Sequence, residues 1–147
     1  MATKARGLRL PEELEEEIER ERRLREETFS GVVISLLREA VRMRRVPGVV
    51  FMNAPGGKRA TIAGTGLEVW EVIAPFREVG WDYERLKKCY EWLWELQLRA
   101  ALTYYELYQD EIDARLEEDE RWTPERLYQE FPFTRPGVPW GKVSRGD

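Results

Sequence analysis

Apolar and polar residues alternate at the start of the chain, in Ala5-Arg6-Gly7-Leu8-Arg9-Leu10, which predicts a short half-buried strand before Pro11. Pro11 suits the first position of a helix, and Glu12 and Glu13 suit the positive end of its dipole. The helix is expected to run to about Glu27, with Leu14 and Ile18 on one face and Glu/Arg pairs four apart on the other. Glu21 and Arg22 keep its second half polar, so it should be solvated and shallowly packed. Thr28 or Ser30 caps a second helix, in which Val32, Val33, Leu36, Leu37, Ala40 and Val41 recur as adjacent pairs every four residues. Arg42, Arg44 and Arg45 put cations at its negative end, and Pro47-Gly48 stops it. One strand and two helices cannot close a core, because the strand has two open edges and the second helix's apolar face is wider than the first can cover. This unit, residues 1–46, is expected to pair with a second copy of itself.

From residue 47 the rhythm changes. Val49, Val50 and Phe51 predict a strand, Asn53 to Gly57 a turn, and Arg59 to Ala63 the returning strand of a hairpin. Gly64-Thr65-Gly66 leads into a helix from Leu67 to about Val79, with Leu67, Trp70, Val72, Ile73 and Phe76 as its apolar set. Pro75 should kink that helix or split it. Gly80 closes it, and Asp82 caps a further helix to about Leu93. A long last helix is expected from near Glu95 to about Glu120. It carries Leu98, Leu102, Tyr105, Ile112 and Leu116 in 4-3 spacing, with Gln109 in the one polar slot, and Trp94, Ala101, Tyr104 and Tyr108 widen the stripe. This middle segment, 47–120, reads as a small domain with its own core. The tail, 121–147, opens on the helix-start signal Thr123-Pro124-Glu125 and is rich in aromatics and proline without clear periodicity.

Composition narrows the chemistry. The 147 residues contain no His, which removes His-based acid–base catalysis, His metal sites and any Ser-His-Asp or Cys-His mechanism. The single cysteine, Cys89, can make no internal disulfide and reads as a small buried filler. Gly56-Gly57-Lys58 lacks the remaining residues of a phosphate loop, since Met52 and Arg59 stand where Gly and Ser or Thr are required. The acidic runs Glu12–Glu17 and Glu117–Glu120 read as solvated helix faces. No catalytic constellation and no cofactor site is expected. With no apolar run of membrane-span length and no apolar leader, the expected location is the cytoplasm. Net charge is −4 but uneven: residues 1–46 carry 11 basic against 10 acidic groups, whereas 47–110 and 111–147 are both acidic. That balance argues against non-specific coating of DNA and leaves open a dimer that gathers its basic groups on one face.

The run Arg6-Gly7-Leu8-Arg9-Leu10-Pro11-Glu12-Glu13-Leu14, followed by Thr28-Phe29-Ser30-Gly31-Val32-Val33-Ile34-Ser35-Leu36-Leu37-Arg38-Glu39-Ala40-Val41, resembles ribbon-helix-helix proteins of the Arc/MetJ/CopG type over about residues 4–46. The resemblance implies that two strands pair antiparallel across a two-fold axis and that the ribbon enters the DNA major groove. Leu8 and Leu10 then face the core and Ala5, Gly7 and Arg9 the groove, with Ser30 and the Gly31 amide at the phosphate position. Of the three groove residues only Arg9 can make a bidentate contact with guanine.

The stretch Gly64-Thr65-Gly66-Leu67-Glu68-Val69-Trp70, with Gly80 and then Tyr90, Leu93 and Leu98-Arg99-Ala100-Ala101-Leu102-Thr103-Tyr104, is similar to the domain-of-unknown-function family numbered 433 over about residues 47–112. Where that family usually has Arg and Pro, this chain has Gly66 and Glu91. The resemblance implies a small helix-turn-helix-like domain of the kind found in VapB-type antitoxins. Glu106, Asp110, Glu111 and Asp113 on the long helix would repel phosphate, which makes the aromatic stripe a core or a protein interface.

The expected fold is therefore mainly α: an N-terminal ribbon-helix-helix dimerisation unit, a β-hairpin with a helix-turn-helix-like domain, and an aromatic arm over 121–147. The expected function is the antitoxin of a type II toxin–antitoxin pair, a homodimer that binds its operator and neutralises a toxin, implied by the resemblance to be a PIN-like ribonuclease. Trp122, Tyr128, Phe131, Arg135 and Trp140 are the candidate partner-binding residues, Arg135 for insertion into an acidic site and the others as anchors. The alternatives are an arm folded back on its own domain, and a stand-alone transcription regulator with no toxin.

Overall fold

A computed structural model describes residues 2–54 and 57–137. The described residues are mainly helical, with a two-stranded antiparallel sheet. Among the described residues no helix is long and apolar enough to cross a membrane.

Helix α1 spans Glu12–Arg25, with Pro11 as its N-cap rather than its first residue, three glutamates in the first turn and three arginines in the last. It stops two residues before the expected end because Glu26 takes a left-handed conformation, φ 54°. Only Ile18 is buried on this helix. Helix α2 spans Phe29–Arg45 and is capped by Thr28, whose hydroxyl accepts the Gly31 N–H at 3.1 Å. Arg25 ties the two helices together through Glu39, 3.4 Å away. Residues 5–10 form no strand in the single chain. A lone strand leaves its N–H and C=O groups without backbone partners, and among the described residues no other segment supplies them.

Strands β1 (Val49–Ala54) and β2 (Gly57–Ile62) pair with Val49 opposite Ile62 and Ala54 opposite Gly57. The chain then turns tightly: the Thr65 hydroxyl donates to the Ile62 carbonyl at 2.8 Å and accepts the Leu67 N–H at 3.0 Å. Helix α3 (Val69–Glu78) begins later than the apolar pattern predicts, because Glu68 is its N-cap and the Glu71 carboxylate accepts the Glu68 N–H at 2.8 Å.

Pro75 does not split α3. A proline there leaves the carbonyl four residues earlier, that of Glu71, without its helical donor. The Tyr90 hydroxyl donates to that carbonyl at 2.7 Å and takes the missing donor's place. The helix closes on two left-handed residues, Gly80 (φ 73°) and Trp81 (φ 62°). The Trp81 N–H returns to Phe76 O at 2.9 Å and the Gly80 N–H to Arg77 O at 3.1 Å, with the Trp81 and Phe76 rings 5.2 Å apart.

Helix α4 (Tyr83–Cys89) is capped by Asp82 and ends four residues earlier than expected. Leu86 is its one buried residue, so Cys89 is exposed and not the buried filler its neighbours implied. The single long helix expected over 95–120 is two: α5 (Glu95–Leu107) and α6 (Gln109–Glu120), broken at Tyr108, where φ is −129° and ψ 44°. The break lets Leu98, Ala101 and Tyr104 of α5 and Ile112 and Leu116 of α6 join one core with Val49, Ile62, Val72 and Ile73. A straight helix would carry the two halves of that stripe past a domain this small.

The arm forms α7 (Pro124–Glu130), capped by Thr123, and one 3-10 turn over Pro132–Thr134. Neither buries a residue. The described aromatics of the arm, Trp122, Tyr128, Phe131 and Phe133, are thus exposed or half-buried.

Candidate functional site

Three surfaces have functional shape: the N-terminal unit, its junction with the core domain, and the aromatic surfaces of the second half.

On the N-terminal unit, the residues expected to read DNA, Ala5, Gly7 and Arg9, all lie on exposed chain without regular structure. Ser30 is exposed in the first turn of α2. The Gly31 amide, expected to hold a phosphate, is already bound to the Thr28 hydroxyl. The first two amides of the helix, those of Phe29 and Ser30, have no partner within the helix itself. The apolar face of α2 is divided. Val32 is fully buried, whereas Ile34, Leu37 and Val41 are each more than half exposed, at 54, 54 and 56%. Leu8 is 71% exposed.

The junction was read from sequence only as a basic helix end. In the structure Arg42 leaves α2 to meet α5 and α6. Its guanidinium donates to the Tyr104 hydroxyl at 2.9 Å and to the Glu111 carboxylate at 2.7 Å, and lies 4.2 Å from the centre of the Tyr108 ring. Tyr104, whose side chain is buried, donates in turn to Glu111. Burial and the Glu111 carboxylate push the Tyr104 pKa well above that of an ordinary tyrosine. Burial works against the charge of Arg42, but Glu111 and Tyr104 more than offset it, so its pKa is raised. Arg45 adds a bond to the Tyr108 hydroxyl at 3.4 Å. On the other side of α5, the Tyr105 hydroxyl donates to Asp113 at 2.8 Å, and burial followed by Asp113 raises its pKa. Glu111 and Asp113, read as part of a phosphate-repelling surface, therefore have internal partners, and only Glu106 and Asp110 of that set do not bind a tyrosine.

In the arm, Trp122 and Phe131 are exposed and pack on each other with ring centres 6.2 Å apart, and Phe133 meets Phe131 edge-on at 6.1 Å. Arg126 covers Trp122 at 5.1 Å. Arg135, expected to insert into a partner, lies over the half-buried Tyr128 ring at 5.9 Å. Trp140 lies outside the described residues. The sequence reading missed a second aromatic surface, between α4 and α5. Trp94, counted as part of the long core stripe, is 75% exposed, and Trp92 and Leu96 beside it are 61% and 78% exposed, while Leu93 is buried. The Trp-Leu-Trp alternation between two helices was the available signal.

No protein-family model, no curated protein and no solved structure matches the chain.

Proposed function

We propose that this chain is the antitoxin of a type II toxin–antitoxin pair, acting as a homodimer that represses its own promoter. Residues 5–10 of two copies pair antiparallel into a ribbon, Arg9 reads a guanine edge in the major groove, and the Phe29 and Ser30 amides clamp a phosphate. The core domain and the arm engage a PIN-like ribonuclease, with Trp122, Phe131 and Phe133 as apolar anchors and Arg135 released from Tyr128 to enter the acidic site.

The observation that carries the reading is the exposed row Ile34, Leu37 and Val41 on α2, together with Leu8 on an unpaired segment. Each of these half-exposed side chains gains roughly 1 kcal/mol when buried, and a second copy offers the same row and the missing strand at once.

The test has three arms. Light scattering at micromolar concentration should show a dimer that Leu37→Glu converts to a folded monomer; a wild-type monomer refutes the reading. In gel-shift competition at fixed salt, Arg9→Ala should lose discrimination for the chain's own upstream DNA more than total affinity, and unchanged discrimination removes the ribbon as the reader. A chain truncated at Arg121 should keep its thermal stability and lose co-purification with the neighbouring gene product; retained binding moves the interface off the arm.

A further inference from the structure

An open cleft of about 460 Å³ lies between the N-terminal helices and the β-hairpin. Ser35, Arg38 and Arg42 line it from α2, where spacings of three and four residues bring them to one face of the helix. Phe51, Asn53 and Lys58 line it from the hairpin. Phe51 and Asn53 stand two apart on β1 and Lys58 stands opposite Asn53, so all three belong to one face of the sheet. Leu24 of α1 and Glu111 of α6 also border the cleft.

The charges around this cleft fall into two groups. Arg25 is paired with Glu39 at 3.4 Å and Arg42 with Glu111 at 2.7 Å, so two guanidiniums and two carboxylates are matched within the chain. The remaining acid, Glu27, has a carboxylate oxygen 3.9 Å from where a Cβ on Gly31 would stand. It lies at the first turn of α2, whose positive end offsets its charge. Arg38 and Lys58 are different. Neither side chain makes a hydrogen bond or an ion pair among the described residues, and neither do those of Ser35 and Asn53. The cleft therefore holds two uncommitted cations and two uncommitted neutral polar groups. Beside them Phe51 is half-buried and Leu24 is 80% exposed, which adds an apolar patch.

We infer that this cleft binds a small molecule that joins a phosphate monoester to an apolar group, with Arg38 and Lys58 as its cations. A phosphate monoester brings about two negative charges and three acceptor oxygens. Two cations and the Ser35 and Asn53 side chains match that demand, whereas a carboxylate would leave one cation unanswered. The apolar group covers Leu24 and Phe51. The volume falls within the range of about 300–1,000 Å³ of small-molecule clefts, and a DNA duplex is too wide to enter it. Arg38 belongs to the N-terminal unit and Lys58 to the hairpin, so a bound phosphate joins the two parts one helical turn beyond the Arg42–Glu111 pair. The inference does not rest on the antitoxin reading and holds equally for a stand-alone regulator.

Isothermal titration calorimetry of the full chain with phenyl phosphate, inorganic phosphate and phenol tests this. Phenyl phosphate should bind saturably at one site per chain, more tightly than either of the other two. Arg38→Ala and Lys58→Ala should each weaken it roughly fivefold or more, as loss of one charge-assisted hydrogen bond in partial contact with water does. Leu24→Ser should weaken phenyl phosphate and leave inorganic phosphate unchanged. Arg44→Ala, at an exposed position of α2 outside the cleft lining, should change neither. Arg38 and Leu24 are exposed as well, so their variants keep the fold. Absence of saturable binding, binding that survives loss of both cations, or an equal loss in Arg44→Ala overturns the inference. So does a short DNA duplex that binds through Arg38 and Lys58 when phenyl phosphate does not.

Discussion

Replacing Arg42 by alanine removes three contacts made more than sixty residues away along the chain. These are a charge-assisted bond to Glu111 at 2.7 Å, a bond to the Tyr104 hydroxyl at 2.9 Å, and a ring contact with Tyr108 at 4.2 Å. The Arg42 side chain is 17% exposed but that of Glu111 is 46% exposed, so solvent screens their ion pair into the surface range of about 0.2–1 kcal/mol. The Tyr104 bond contributes about 1 kcal/mol, and the ring contact about 0.5–1 kcal/mol. Tyr104 keeps Glu111 as an acceptor in the variant, so no buried hydroxyl is orphaned and no further penalty applies. The expected loss is about 2 kcal/mol, a fall in Tm of roughly 4–8 °C for a chain of this length. Urea unfolding followed by tryptophan fluorescence, at fixed protein concentration, measures it. Arg38→Ala, at an exposed position on the same helix, serves as the control and should change stability by less than about 0.5 kcal/mol. A double-mutant cycle between Arg42→Ala and Glu111→Ala should show coupling of about 0.5–1 kcal/mol. If Arg42→Ala unfolds with the wild-type midpoint, the junction is not held by this cluster.

Three other outcomes follow from the geometry. Tyr90→Phe should cost about 1–2 kcal/mol by stranding the Glu71 carbonyl, and should cost far less in a Pro75→Ala background, where a helical N–H returns to that carbonyl; equal costs in the two backgrounds refute the exchange. A Cβ at Gly31 would stand 3.0 Å from the Thr28 hydroxyl oxygen. Gly31→Ala should therefore give up about 1 kcal/mol of capping despite alanine's better helix propensity, and should stabilise the chain once Thr28 is already Ala; urea midpoints of the four chains decide it. Tyr104, Tyr105 and Tyr90 all have folded pKa values raised above the ordinary value of about 10. The stability this contributes is complete below pH 10 and is lost as pH rises towards the folded values, because the unfolded chain ionises first. The unfolding midpoint should fall from pH 9 to pH 11, less steeply in Tyr104→Phe, and a pH-independent midpoint contradicts the burial of these hydroxyls.

Local signals in the sequence determined most of the elements. The Pro11, Thr28, Asp82 and Thr123 caps, the Pro47-Gly48 and Gly80 stops and the hairpin turn all act within a few residues, and each stands within two residues of its expected place. The buried faces of α3, α5 and α6 were legible for the same reason, since helical spacing alone places Val72, Ile73, Leu98, Ile112 and Leu116 inward. Tertiary structure decided what no local rule contains. The break at Tyr108 has no proline or glycine behind it. It occurs where Arg42 of α2 draws in Tyr104, Tyr108 and Glu111 and the two halves of the apolar stripe turn into one core. Glu111 and Asp113 look like solvated charge in sequence because their tyrosine donors lie seven and eight residues earlier, across that break. Cys89 and Trp94 sit beside apolar residues yet face solvent, while Leu86 and Leu93 are the side chains of those segments that the core takes in. The strand at 5–10 is the opposite case. Its alternation is plain in the sequence, but a strand exists only when another backbone satisfies its N–H and C=O groups, and none of the described residues does so.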